Sequence, residues 1–384
     1  MNSVEIFAGG GGLALGLKKA GFSHASLVER DRNSSQTLLC NHKIFGFSGG
    51  KLLVRNGDIR SVSFLDFTDK IDLLSGGPPC QPFSIGGKHK AHNDSRDMFP
   101  EATRALREIR PRAFIFENVR GLLRKNFSQY FGYIILQLTH PEIPKRPEQE
   151  WQDHLSELEK HHTGNGEKGL HYNVVYRLLN AADYGVPQKR ERVFIVGFRN
   201  DVNGDWSFPD QTHGEAALNC DKFVSRDYWE RHSVKPPLEI KASVNVLSSI
   251  DGKKPWVTVR DAIGDLPDPE HPNDFFNHKL QRGAKSYAGH TGSALDEPSK
   301  TIKAGDHGVP GGENMMILDS GALRYYTVRE AARLQTFPDD YFFPCSWTEN
   351  MRQIGNAVPV KLGAMIASSV KKALRSSAET GRLK

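Results

Sequence analysis

Cysteine is scarce and scattered in this sequence: four in 384 residues, at Cys40, Cys80, Cys220 and Cys345, with no Cys-x-x-Cys pair and no histidine at ligand spacing beside any of them. That excludes a disulfide framework and gives no sign of a zinc site, so no metal is expected. Long apolar runs are missing too. The longest, such as Val193 to Phe198, are strand-sized and fall far short of the ~20 residues of a membrane span. No basic leader precedes the first apolar stretch, which carries Glu5, so a secretion signal is not indicated. There is no internal repeat. Hydrophobic residues at 38% are ordinary for a globular chain and argue against disorder, collagen and coiled coil. The expectation is a soluble, cytoplasmic protein with no membrane partner.

A strong excess of charge of either sign is also absent: 51 Lys and Arg stand against 45 Asp and Glu, a net charge of +6. This is compatible with a polyanionic partner without establishing one. The distribution is uneven. Residues 1–199 carry 28 basic against 21 acidic residues, 200–344 carry 16 against 22, and 345–384 carry 7 against 2.

Short β-rich apolar runs recur in the first half, at 4–7, 26–28, 71–74, 113–116, 174–179 and 193–198, each reading as a buried strand. Helical patterns alternate with them at 13–20 and at 97–109, where Met98, Ala102, Ala105, Leu106 and Ile109 share a face. Alternating strands and helices predict an α/β fold, an open and mostly parallel sheet with flanking helices. From about residue 200 the texture turns loop-rich, with short apolar pieces at 244–247 and 256–259. The stretch 141–169 reads as a polar surface insertion, helical over part of 150–161. The last apolar helix, 360–374, needs a core to cover, and the sheet is its expected host, which makes the sheet domain discontinuous: 1–199 with 345–384, and a smaller loop-rich domain over 200–344.

Phe7-Ala8-Gly9-Gly10-Gly11-Gly12 stands between the first strand and the first helix, where glycines let backbone approach a ligand at a helix N-terminus. Glu29, 20 residues after Gly9, ends the second strand and is placed to accept hydrogen bonds from ribose hydroxyls. These features suit an adenosine-containing cofactor and leave nicotinamide and S-adenosylmethionine both open. Asp58-Ile59 falls where a third strand would deliver an adenine contact. The run Gly76-Gly77-Pro78-Pro79-Cys80-Gln81 holds Cys80 on a stiff loop just beyond a strand's carboxyl end, where open α/β folds place their ligands. Glu117-Asn118-Val119 brings a carboxyl group out of an apolar strand at the same edge, where burial would raise its pKa and suit it to proton donation. In Gln188-Lys189-Arg190-Glu191-Arg192, the three cations read as a solvated turn or as contacts to phosphate or a base carbonyl.

In this order the motifs resemble those of the DNA (cytosine-5) methyltransferases of bacterial and phage restriction-modification type. The resemblance rests on Glu5 to Gly12, Glu29-Arg30-Asp31, Asp58-Ile59, Pro78-Pro79-Cys80-Gln81, 94–111, Glu117-Asn118-Val119, Gln188 to Arg192, Arg324 to Asp339 and Gly355-Asn356-Ala357-Val358-Pro359. It covers nearly the whole chain apart from 141–169 and 200–323. Two positions depart from the family pattern: Glu5, where Asp is commoner, and Arg30, where an aromatic or apolar residue often stands.

The resemblance implies an S-adenosylmethionine-dependent, Rossmann-like catalytic domain and a target-recognition domain over 200–344, with 324–339 as its scaffold. It implies that Cys80 attacks C6 of a flipped-out cytosine in a short duplex DNA sequence, that Glu117 protonates N3, and that Arg192 holds the base carbonyl. Phe7 would pack on the cofactor adenine, Gly9, Gly11 and Gly12 form its loop, Glu29 bind its ribose, Asp58 and Ile59 its adenine, and Asn356 its methionine end, with S-adenosylhomocysteine as product. Base-reading candidates are Lys285, Lys300, Lys303 and His307, with Arg190 among the charges expected to attract phosphate. A monomer paired with a cognate restriction endonuclease is the expected biological setting. The nearest alternative is the tRNA-methylating branch of the family, whose Cys-Phe-Thr signature is absent. A nicotinamide oxidoreductase would leave Cys80, Glu117 and Arg192 idle, and a catalytically dead DNA-binding module would not be expected to keep both Cys80 and Glu117.

Overall fold

The computed structural model describes residues 1–46, 54–79, 97–164, 169–202, 204–236, 252–286, 291–304 and 314–382. Cys80, the apolar piece 244–247 and His307 lie outside them.

Seven strands form the central sheet: β1 (Asn2–Ile6), β2 (Ser23–Glu29), β3 (Val54–Asn56), β4 (Leu73–Gly76), β5 (Ala113–Val119), β6 (Tyr172–Asn180) and β7 (Glu191–Arg199), in the order β3-β2-β1-β4-β5-β7-β6. The first five are mutually parallel, whereas β7 runs antiparallel to both of its neighbours. The physical reason is the connection. Parallel neighbours need a crossover, but β6 and β7 are joined by a short link containing one 3-10 turn at Ala181–Tyr184, which only an antiparallel hairpin allows. The sheet is thus mostly parallel, as expected.

Alternation along the central strands fills two layers. Phe114 and Phe116, with Val4, Ile6 and Ile195, face helices α4 (Phe99–Ile109), α5 (Ser128–Thr139) and α6 (Trp151–Thr163). Ala113 and Ile115, with Phe194 and Val196, face α1 (Gly12–Lys19) and the last helix, α12 (Val360–Arg382). Helix α12 therefore covers the sheet, and Leu362, Ile366, Val370 and Leu374 are fully buried there. Its fit against α1 is tight at Gly16, where a Cβ would meet backbone atoms of Val360, Gly363 and Ala364 at 2.9–3.0 Å.

The insertion is less superficial than its polarity suggests. Helix α6 buries His154, Leu155 and Leu158, and Tyr133 of α5 hydrogen-bonds His154 across 2.9 Å. Two hydrophobic residues a turn apart suffice to seat a helix whose other faces are charged.

The remaining elements are α2 (Arg32–Cys40), α3 (His42–Phe45) and a loop-rich second unit. The latter comprises β8 (His213–Gly214), α7 (Glu215–Phe223), α8 (Asp227–His232), β9 (Lys254–Pro255), α9 (Val259–Ile263), β10 (Ser293–Ala294), β11 (Met315–Ile317), β12 (Leu323–Tyr325) and α10 (Val328–Leu334), and α11 (Trp347–Asn356) leads from it back to the sheet domain. The apolar piece at 256–259 supplies buried Trp256 and Val259. Thr327 and Glu330 close a capping box at the start of α10, and Arg324 clamps Glu330 at 2.6 Å. A core built from α9, α10 and α11 continues into Ala14, Leu15, Leu38 and Phe45, so the second unit is packed onto the α1 and α2 side of the sheet domain.

Candidate active site

Because β1, β2, β3, β4 and β5 are parallel, their carboxyl ends share one edge of the sheet, and the antiparallel β7 starts at that same edge. Six sequence motifs meet there by topology alone.

The glycine-rich loop leaves β1 through Phe7, held at φ +54°, a strained conformation for a side chain of that size and one that clusters at functional sites. Gly9 and Gly11 follow at φ +53° and +82°. A Cβ on Gly11 would stand 2.6 Å from the Tyr341 hydroxyl, and one on Gly12 would stand 2.3 Å from the Val358 carbonyl oxygen, so both positions require glycine. Around Gly9 the described residues leave open space. Helix α1 then begins at Gly12 with no cap from the side of Gly11, and the Glu5 carboxyl takes the Ala14 N–H in its first turn.

Glu29 receives the Gly9 N–H at 2.7 Å on one oxygen and the Asp31 N–H at 2.7 Å on the other. Burial raises its pKa, and the two amides pull it back. Each oxygen keeps a lone pair for a ribose hydroxyl. Asp58 follows β3 and caps the turn carrying Ile59, which is buried. The bidentate Arg60 guanidinium, at 2.6 and 2.9 Å, holds the Asp58 carboxyl well below the usual carboxylate range, and Arg30 adds a weaker contact at 3.6 Å. Asn356 is exposed at the end of α11, the helix whose following residues lean on the glycine loop. Open space beside Gly9, the N-terminus of α1 and a ribose-spaced acid together fit the shape and charge of S-adenosylmethionine.

The catalytic candidates occupy the neighbouring strand ends. Glu117, 8% exposed, ends the apolar part of β5. Arg192, diagonal to it on β7, brings Nε to 2.9 Å from Glu117 Oε1. The contact is an ion pair without hydrogen-bond alignment, and among the described residues Oε1 has no hydrogen-bond partner. Burial pushes the Glu117 pKa up, with Arg192 and then Arg190 opposing it, as a proton donor requires. The Cys80 loop is fastened at its root: Asn118 Nδ2 donates to the Pro78 carbonyl at 2.9 Å, and the Met98 N–H donates to the Pro79 carbonyl at 3.1 Å. A Cβ on Gly77 would lie 3.5 Å from Glu117 Oε2, so the described start of the loop passes directly over the carboxyl group. Cys80 itself is outside the described residues.

Arg190 corrects the sequence reading. It is 1% exposed, and its Nη atoms donate to the carbonyls of Ile302 (3.2 Å) and Gly355 (2.8 Å), so it straps the second unit to α11 and presents no charge to a phosphate. Lys189 faces Glu215 and Glu297 beside the Trp256 ring. Of the base-reading candidates, Lys300 donates to the Thr291 hydroxyl and Lys303 engages Asn314 through its backbone.

The sequence reading missed Asn118 as the loop's anchor, Tyr341, whose hydroxyl donates to the Gly10 carbonyl at 2.8 Å, and Gln353. Gln353 is buried against Gly10 with Oε1 unpartnered. Asn118 and Gln353 adjoin motifs already singled out, so proximity was a signal. For Tyr341 there was none. A cavity of about 700 Å³ lined by Arg177, Tyr184, Asp210 and Lys254 touches none of the candidate residues.

A mostly parallel sheet with flanking helices, a glycine loop after β1 and a buried carboxyl at the end of β5 is the Rossmann-like architecture of methyltransferases. The family follows from comparison: residues 1–141 and 152–372 match the C-5 cytosine-specific DNA methylases, and the chain belongs to that family. It is a DNA (cytosine-5) methyltransferase. Its relatives include the Type II methyltransferases M.Eco47II of Escherichia coli (32% identical, 96% of this chain and 78% of the relative) and M.NgoMIV of Neisseria gonorrhoeae (31%, 97% and 98%). The fold is shared with a putative DNA modification methyltransferase from an E. coli prophage (TM-score 0.60, 20% identity, 98% and 99% covered). It is shared also with the S. pombe Dnmt2 methyltransferase (TM-score 0.59, 18% identity, 97% and 99% covered). The family implies S-adenosylmethionine as methyl donor. Among the described residues no helix is long and apolar enough to cross a membrane.

Proposed function

We propose that the protein methylates C5 of one cytosine within a short duplex DNA sequence as the modification half of a restriction-modification pair, acting as a monomer on a base turned out of the stack. The observation that carries this reading is Glu117: a buried carboxyl of raised pKa, ion-paired with Arg192 and beneath the root of the Cys80 loop.

A base stacked in a duplex cannot reach such a recess, so extrusion at a cost of a few kcal/mol is part of the cycle. The Cys80 thiolate adds to C6, forming the S–C bond, while Glu117 gives its proton to N3 so that the ring electrons do not remain as an unstabilised anion. Arg192 donates to the base carbonyl. C5 is then an enamine carbon, nucleophilic enough to take a methyl group. S-adenosylmethionine, when bound, supplies that methyl group in electrophilic form and leaves as S-adenosylhomocysteine; loss of the C5 proton to water then expels the Cys80 thiolate from C6, and N3 returns its proton to Glu117, so that the cytosine ring is restored. Phe7 and Ile59 wall the adenine, Asp58 accepts from it, Glu29 binds the ribose, the Gly9 to Gly12 loop and the start of α1 face the carboxylate, and Asn356 closes the methionine end. Residues 1–199 with 345–384 make up the catalytic domain and 200–344 the recognition domain.

The test is incubation with S-adenosylmethionine and unmethylated genomic DNA, followed by bisulfite sequencing, with Cys80→Ala and Glu117→Gln alongside. Protection of cytosines in one short motif is expected, abolished by Cys80→Ala and slowed ~10²–10⁴-fold by Glu117→Gln. No protection of DNA by a folded, cofactor-binding protein would overturn the reading and direct the same assay to tRNA.

A further inference from the structure

We propose that His140, His161 and His162, with His171 beside them, bind one divalent transition-metal ion of the zinc class, at a site separate from the methyl-transfer centre. His140 caps the C-terminus of α5, His161 and His162 lie in the last turn of α6, and His171 immediately precedes β6. His140 Nε2 and His162 Nδ1 face each other at 3.0 Å. The rings of His161, His162 and His171 lie 4.9, 5.2 and 6.4 Å from that of His140, centroid to centroid.

Two imidazole nitrogens at that distance share one proton. Replacing it with a metal ion, at ~2.0–2.1 Å from each nitrogen with tetrahedral geometry, requires a nitrogen separation of about 3.3 Å, a shift of a few tenths of an ångström. Among the described residues no three donor groups are already gathered for a metal ion, so the site is one that closes on its ligand. His162 is exposed and His161 half-buried, while His140 is 8% exposed.

The surroundings also suit a cation. The C-termini of two helices, of 12 and 13 residues, converge on the cluster, and each carries partial negative charge on its terminal carbonyls. An all-imidazole donor set selects zinc, nickel, copper or cobalt over magnesium and calcium. The bound ion would tie α5, α6 and the start of β6 together.

The test uses the untagged full chain, freed of metal with a chelator and titrated with Co²⁺ and Zn²⁺. Expected are one equivalent of Co²⁺ with a visible d–d band and no thiolate charge-transfer band, and a Zn²⁺-dependent rise in Tm of about 2 °C or more at saturation. Both should vanish in His162→Gln, an exposed substitution that leaves the fold intact, while methyl transfer stays unchanged. Absence of binding to the wild-type chain, a thiolate band, or equal binding by His162→Gln would each overturn the proposal.

Discussion

Two buried glutamates at strand ends illustrate how neighbours rather than burial alone decide what a carboxyl group does. Glu117 lies against the Arg192 guanidinium, which offsets part of the burial cost. Glu5, 1% exposed in the middle of the sheet, has neutral donors on its side chain, the Ser75 hydroxyl at 2.9 Å and the Ala14 N–H, and burial pushes its pKa up to about 8. A folded pKa above the unfolded value of 4.5 means that the native state binds the proton more tightly. The favourable contribution is therefore complete below about pH 4.5, declines as pH rises and is gone above about pH 8. Over that window the native state loses on the order of 4 kcal/mol relative to the unfolded chain. Glu5→Gln keeps the shape and the acceptor for Ser75 but cannot ionise. Its stability relative to wild type should grow from pH 5 to pH 8 in urea titrations. A difference that stays flat with pH would show that Glu5 is not protonated in the fold.

At the scale of elements, the turn from Gln188 to Arg192 was the part least readable from sequence. Charge type is visible in a sequence, but whether a charge faces water is decided by what packs over it. Arg190 is covered by 301–302 and α11, which are more than 100 residues away along the chain. The direction of β7 was hidden in the same way, because it depends on a link too short for a crossover, and the seating of α6 depends on only two leucines and a histidine. The glycine loop and the buried position of Glu117 were legible because their chemistry is local: left-handed backbone, and a charge at the end of an apolar run. The corrected role of Arg190 has a consequence. Arg190→Ala leaves two buried carbonyls without donors and a hollow between the units, at a cost of about 2–4 kcal/mol. The slope of log Kd against log salt for DNA should not change. A shallower slope without loss of stability would restore Arg190 as a phosphate contact.

The whole molecule is closed by its last helix. The chain leaves the sheet after β7, builds the second unit, and returns through α12 to the face it left uncovered, where Arg112 Nη2 donates to the Leu374 carbonyl and Trp206 Nε1 to Ser369 Oγ. The sheet's α1 side is incomplete until residues 360–374 are in place, and the second unit shares a core with α1 and α2. The main apolar cluster of the second unit is thus completed by sheet-domain residues, so the two should unfold together. Ile366→Ala, at a fully buried position between α12 and the sheet, should cost about 2–5 kcal/mol. It should lower the urea midpoint by the same amount whether unfolding is followed by far-ultraviolet dichroism or by fluorescence of the tryptophans at 229 and 256 in the second unit, with m unchanged. If the second-unit tryptophans kept their wild-type midpoint while the dichroism transition moved, the two parts would be independent folding units, and the packing of the second unit on α1 and α2 would be a contact rather than a shared core.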